Sequence, residues 1–214
     1  ADDYHKLSRY EFFMLYRNES DPKKRETILR QALEMFPSFM IAANDLAALL
    51  IERGEPDPEL LEKFAGEKAP VAVNTNHAIA LLKDQQYGEA DEIMSYVPKT
   101  DNTRLLHAVN GAFNGRYEDN YSVIAATSKR NNLLMLLAMK RNSEALKLSR
   151  ELPDDEALTH YLRAVCLNRA EDAVGAYDEL KRAFEMDPSL KNIAHVDGDV
   201  NDLLVEKHNK EGLQ

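Results

Sequence analysis

The chain of 214 residues contains a single cysteine, Cys166, and no tryptophan. One thiol excludes an internal disulfide framework and any metal site built from several thiolates. The longest unbroken apolar run, residues 133–139, is seven residues long, whereas a helix needs about 18 apolar residues to cross a bilayer. We therefore predict that this chain does not insert into a membrane.

Basic residues are outnumbered by acidic ones. The 27 Lys and Arg residues face 37 Asp and Glu residues, which gives a formal net charge of −10. A surface of this charge repels the phosphates of nucleic acids and the head groups of anionic lipids. We therefore predict that nucleic acid is not a partner.

Glycine and proline are also scarce, with eight of each in the chain, which is few for a β-rich protein. Strand-type alternation is rare, whereas apolar residues recur every three or four positions along most of the sequence. This periodicity predicts an all-α fold with about 13 helices and no sheet.

Proline residues follow the helical segments at recurring intervals. The gaps between them are 33, 28, 55 and 35 residues, and they separate Pro37, Pro70, Pro98, Pro153 and Pro188. A break near residues 127–128 divides the longest gap into two shorter units. A period near 30 residues with two helices per period is typical of an α-solenoid, because one helix pair cannot bury its apolar face alone.

Small residues hold fixed places within this period. One unit contains Ala78, Tyr87, Ala90, Met94 and Pro98, and another contains Ala164, Ala173, Ala176, Leu180, Ala183 and Pro188. The pattern resembles the tetratricopeptide repeat (TPR) family. The resemblance extends over about residues 4–188, and it weakens where Arg25 and Asn120 stand at the place of the second small residue.

The resemblance implies a right-handed α-solenoid of about six TPR-like helix pairs over residues 1–188. Residues 189–214 are then a C-terminal capping helix and tail, since a solenoid needs a polar element over its open end. The alanines are expected where the two helices of a pair cross most closely, because a larger side chain there would push the axes apart.

The sequence contains no complete catalytic or metal-binding pattern. Asp197, Asp199 and Asn201 have the spacing that begins a calcium loop, but the glycine and glutamate that complete such a loop are replaced by Asp202 and His208. The six histidines lack a neighbouring nucleophile or ligand set. We therefore predict no enzyme activity, no metal and no cofactor.

The first hypothesis for function is a protein-interaction scaffold. The resemblance implies that first helices line a concave groove, which binds a protein or peptide segment. The basic residues Lys83 and Arg169 on a chain of net charge −10 favour a segment of some acidic character. The candidate partner-binding residues project from first helices and are Asn44, Glu52, Lys83, Phe113, Tyr161, Asn168 and Arg169. Some family members hold a partner's C-terminal carboxylate with paired Lys and Asn residues. This chain does not match that set, because Asn44 is paired with Glu52 rather than with a lysine.

The alternative is a structural or assembly module of a larger bacterial cell-envelope protein. Residues 42–47 and 110–117 are similar to repeat segments of some Gram-negative envelope proteins, where such repeats adjoin a peptidoglycan-binding module. On this basis the cell envelope is favoured over the cytoplasm.

Overall fold

A computed structural model describes residues 4–205 of the chain. Within that range the backbone forms one 3₁₀ turn, Tyr4–Lys6, and thirteen α-helices, with no strand. The helices are α1 (Arg9–Asn18), α2 (Pro22–Met35), α3 (Met40–Glu52), α4 (Glu59–Glu62), α5 (Val71–Lys83), α6 (Tyr87–Met94), α7 (Arg104–Phe113), α8 (Tyr117–Ala125), α9 (Lys129–Ala138), α10 (Asn142–Ser149), α11 (Ala157–Arg169), α12 (Ala173–Met186) and α13 (Leu190–Val196). Residues 201–205 are also helical. The all-α prediction is confirmed. Of the described helices, none combines the length and the apolar character that a membrane span requires.

Several helices begin at residues whose side chains cap the helix N-terminus. The Ser8 hydroxyl accepts from the backbone N–H of Glu11, and the Glu11 carboxylate accepts in return from the backbone N–H of Ser8. Asp21 caps α2, which starts with Pro22, a residue that needs no partner for its nitrogen at this position. Ser128 caps α9, at the place where the sequence predicted a break.

Five helix-to-helix turns share one backbone conformation. Each contains a residue with φ between 57° and 85°, and these residues are Gly54, Gln85, Gly115, Lys140 and Glu171. They are separated by 31, 30, 25 and 31 residues. In each turn the next N–H donates to the carbonyl five residues earlier, at 2.9 to 3.0 Å. This is the Schellman arrangement, which satisfies carbonyls left open at a helix C-terminus. The repeat is therefore marked by its turns as regularly as by its alanines.

The chain divides into two compact units, residues 1–116 and 117–214. In the first unit α2 packs against α1 and α3, α5 packs against α3 and α6, and α7 packs against α6. Ala78 and Ala90 are both fully buried, as expected for a close crossing of α5 and α6. A separate cluster around Phe12, Leu29 and Leu46 forms the core of the first three helices.

The second repeat departs from a regular helix pair. Its second helix, α4, is only four residues long, because Pro56 and Pro58 interrupt the segment that precedes it and Gly66 follows with φ of 138°. The side-chain amide of the buried Asn74 holds the segment that follows α4. It accepts from the N–H of Gly66 and donates to its carbonyl, both at 2.9 Å.

The second unit is built around α11 and α12. Ala164 and Ala176 are fully buried, as the repeat pattern predicts. The C-terminal segment contributes to the same core, through Leu190, Ala194, Val200 and Leu203. Residues 190–203 therefore pack on the last helix pair. That they cap a solenoid stays a prediction, and the tail at 206–214 lies outside the described residues.

Candidate functional site

The candidate partner-binding residues of the first unit are Asn44, Glu52, Lys83 and Phe113. Asn44 lies between two first helices, where its side-chain oxygen accepts from the Asn76 amide at 2.9 Å. This bond joins α3 to α5, so part of the polarity of Asn44 is already used within the chain. Lys83 is the last residue of α5 and is exposed.

Phe113 presents an aromatic ring at the surface. Its side chain is 51% exposed, and one face of the ring stacks on Tyr87 with centroids 4.7 Å apart and planes inclined by 6°. The stack favours this orientation of the ring, because aromatic pairs of this kind contribute about 0.5–1.5 kcal/mol beyond their buried area. Phe113 is thus an ordered apolar surface rather than a loose side chain.

Glu52 lies on the wall of a polar cavity of about 420 Å³ between α1, α2 and α3. Arg17, Arg25 and Asp45 also line it. On its floor the Tyr16 hydroxyl donates to Asp45 at 2.7 Å. Burial and this hydrogen bond raise the pKa of the Tyr16 phenol above its ordinary value. Arg25 takes the place where the repeat pattern has a small residue, and the cavity adjoins this departure.

The prediction that Tyr161 lies on the partner-binding face is wrong. Its side chain is only 5% exposed and belongs to the core of the second unit. The hydroxyl donates to Asp197 at 2.7 Å, and burial raises the pKa of the phenol. The C-terminal segment covers this part of α11, which the repeat pattern alone did not indicate. Tyr161 is therefore a structural residue.

Asn168 and Arg169 are also held within the chain. The Asn168 amide donates to the carbonyl of Asp199 at 2.8 Å and to Asp202 Oδ1 at 3.0 Å. The Arg169 guanidinium donates to both carboxylate oxygens of Asp199, each at 2.9 Å. This paired hydrogen bond raises the pKa of Arg169 above its already high value. Both side chains therefore fasten the C-terminal segment to α11 and are not open to a partner.

The acidic residues that begin a calcium-like spacing have a different role. One oxygen of Asp197 accepts from the N–H of Asp199 at 3.0 Å, as in a loop that caps itself, and the other accepts from Tyr161. Asp199 pairs with Arg169. Sequence reasoning missed these contacts, although the arginine that ends the first helix of the last repeat and the acidic cluster after that repeat have complementary charge.

Other ionisable clusters are internal contacts. His160 is buried with Nδ1 at 2.6 Å from Glu179 Oε2 and Nε2 at 2.8 Å from the carbonyl of Asp154. Cys166 is buried, and its burial raises the pKa of the thiol, which makes it unreactive. Across the part of the chain that the structure describes, no three His, Cys, Asp or Glu side chains are grouped as metal ligands.

The fold has a counterpart among solved structures. A crystal structure of a tetratricopeptide repeat protein from Parabacteroides merdae is similar to this chain, with a TM-score of 0.51 over 93% of this chain and 84% of the other, at 17% sequence identity. The fold is that of a TPR-like helical-repeat protein. No protein-family model matches the chain, and no curated protein sequence matches it either.

Proposed function

We propose that the chain is a protein-interaction scaffold that binds an extended segment of a partner protein on the first-helix face of residues 4–116. The observation that carries the proposal is the half-exposed ring of Phe113 stacked on Tyr87. Aromatic residues are enriched among the side chains that dominate binding energy at protein interfaces.

The order of this ring favours binding. A side chain that becomes fixed only on association costs about 0.5–1.5 kcal/mol in lost freedom. Phe113 is already held against Tyr87 in the free chain, so most of this cost falls on folding rather than on binding. A partner side chain that covers the open half of the ring gains apolar contact without that loss.

The charge at this face favours a segment of acidic character. Lys83 ends α5 four residues before Tyr87 and has no ion-pair partner among residues 4–205. Because the chain carries a net charge of −10, a basic segment would be attracted to most of its surface without selectivity. A lysine without an ion-pair partner and an exposed ring in the same unit together favour an acidic and apolar sequence.

The test is selection of binding peptides from a random displayed library, followed by fluorescence anisotropy with purified variants. We expect Phe113→Ala to weaken the selected peptides by about tenfold or more, as for a central aromatic contact. Lys83→Glu should weaken them several-fold, and more at low salt, because the charge interaction is screened at high salt.

Matched controls come from the same unit. Tyr96→Ala removes another exposed ring and Lys99→Glu reverses another exposed lysine, so neither should change affinity. Unfolding curves establish that each variant is folded. Equal affinity of the peptides for Phe113→Ala and for Tyr96→Ala would remove the basis of the proposal. Arg169 is left unchanged because its substitution would break the contact with Asp199.

A library that returns no peptide would favour the other hypothesis. The chain would then be an assembly module of a larger cell-envelope protein, which positions neighbouring domains without binding a free segment. Under either outcome we propose that no small molecule is turned over.

A further inference from the structure

A cavity of about 560 Å³ lies in the second unit between α12, α13 and the helical residues 201–205. We call it the α12–α13 pocket. Its apolar lining consists of Tyr177, Phe184, Pro188 and Leu204. Three of these side chains pack against the core of the unit and remain partly exposed. The volume falls in the range of cavities that enclose ligands, about 300–1,000 Å³.

Basic side chains outnumber acidic ones in the lining of the pocket. Lys181, Lys191 and His195 line it together with one acidic residue, Glu185. Neither lysine has an ion-pair partner in the described part of the chain. The Lys191 ammonium lies 6.0 Å from the centroid of the Phe184 ring, which places its charge beside the apolar lining. A positive rim of this kind stands out on a chain with a net charge of −10.

We propose that the α12–α13 pocket docks an acidic segment of a partner protein that inserts one bulky apolar side chain. The inserted side chain leaves water for a lining of two aromatic rings, a proline and a leucine. Acidic residues on either side of the inserted side chain pair with Lys181 and Lys191. The same two lysines would repel a basic segment. The recognition is therefore apolar at the centre and electrostatic at the rim.

This pocket is independent of the first-helix face. All of its residues belong to the second unit, and all belong to α12 or to elements after it. Phe113→Ala should leave binding here unchanged, and substitutions of Lys191 should leave binding at Phe113 unchanged. The failure of either proposal can thus be distinguished from the failure of the other.

The probe is an acidic peptide with a central Trp-Leu pair, titrated with the full chain. Because the chain contains no tryptophan, the peptide carries the only indole in the sample. Insertion into the pocket should move its emission to shorter wavelength. Two control peptides should bind more weakly. In the first, Lys replaces each Asp and Glu. The second stays acidic and keeps the Trp, but Ser replaces the leucine and its neighbours.

The decisive variant is Lys181→Glu combined with Lys191→Glu. Both lysines are exposed, so the double variant should fold, and we expect its affinity for the acidic peptide to fall about fivefold to tenfold. Lys129→Glu combined with Lys147→Glu makes the same charge change elsewhere in the second unit and should have little effect. Equal losses in the two double variants, or no spectral shift with the unaltered chain, would overturn the proposal.

Other occupants give different results. A second copy of the chain in the pocket would produce self-association that rises with concentration and is inhibited by the peptide. Residues 206–214 as the occupant would make a chain ending at Val205 bind the peptide more tightly than the full chain. Either result would contradict docking of an outside partner.

Discussion

Substituting alanine for glycine should change the free energy of unfolding in opposite directions at two places, one in a turn shared by the repeats and one in a helix. Gly115 has φ of 85° in a turn, whereas Gly88 is helical with negative φ. A methyl group added at either residue meets no atom within 4 Å. Substitution by alanine therefore tests backbone conformation alone, without a steric clash in either case.

The expected magnitudes follow from the two conformations. At Gly115 an alanine must adopt the left-handed conformation, which costs about 1–2 kcal/mol. Alanine also lowers the conformational entropy of the unfolded chain, which offsets about 0.4–1 kcal/mol of this cost. Gly115→Ala should therefore destabilise by about 1 kcal/mol. At Gly88 there is no strain, and alanine is a better helix former than glycine by up to about 1 kcal/mol. Gly88→Ala should stabilise the chain.

Urea unfolding followed by far-ultraviolet circular dichroism measures both effects. The two residues lie in the same unit, so their midpoints belong to the same part of the chain, and the slope of the transition should not change. Gln85→Gly provides the reverse test, because Gln85 has φ of 62° without being glycine, and it should stabilise by about 0.5 kcal/mol. If both alanine variants shifted the midpoint in one direction, the assignment of the turns would be wrong.

Three further predictions concern the core, the pH response and the C-terminus. Ala90→Arg and Ala176→Arg should destabilise the chain by at least about 1–3 kcal/mol in chemical denaturation, since both sites are fully buried. Ala170→Arg, at an exposed helix end, should be nearly neutral. Equal effects at all three sites would contradict the repeat register. His77 is 5% exposed, its Nδ1 has no hydrogen-bond partner among residues 4–205, and burial lowers its pKa. Because the unfolded chain binds this proton at a higher pH than the folded chain does, stability should fall as pH drops below about 6.5 toward the lowered pKa. That fall should be smaller in His77→Gln, and identical pH profiles would show that His77 is not its source. Removal of residues 189–214 should uncover the core of the second unit and cause self-association in analytical ultracentrifugation, so a truncated chain that stays monomeric and equally stable would exclude a capping role.

The sequence was sufficient where the repeat imposes a local requirement. Ala78 and Ala164 could be placed because close helix crossings admit only small side chains, and this requirement recurs at a fixed spacing. The shortened α4 was not anticipated, because repeat matching extends a pattern through prolines that in fact stop the helix. The left-handed conformation of Lys140 was also missed, because in a sequence glycine is the residue that indicates this conformation.

The candidate site was predicted less well than the fold. Phe113 was correctly expected at the surface, because no core position of the repeat requires it. Tyr161 and Arg169 were assigned to the same face by the same rule, yet a segment 30 to 36 residues later covers them. Periodicity describes how each helix faces its own pair. It carries no information about which distant stretch of the chain returns to cover that face.

The contacts of Asp199 with Arg169 and Asn168 make the C-terminal segment a tethered ligand of α11. Because α12 and α13 join this segment to α11 within one chain, it acts there at an effective concentration set by that connection. A free peptide that sought the same side chains would have to exceed this concentration or bind far more tightly than the segment does. The surface of α11 around Arg169 and Asn168 is therefore already occupied by the chain's own residues, and competition there disfavours a partner.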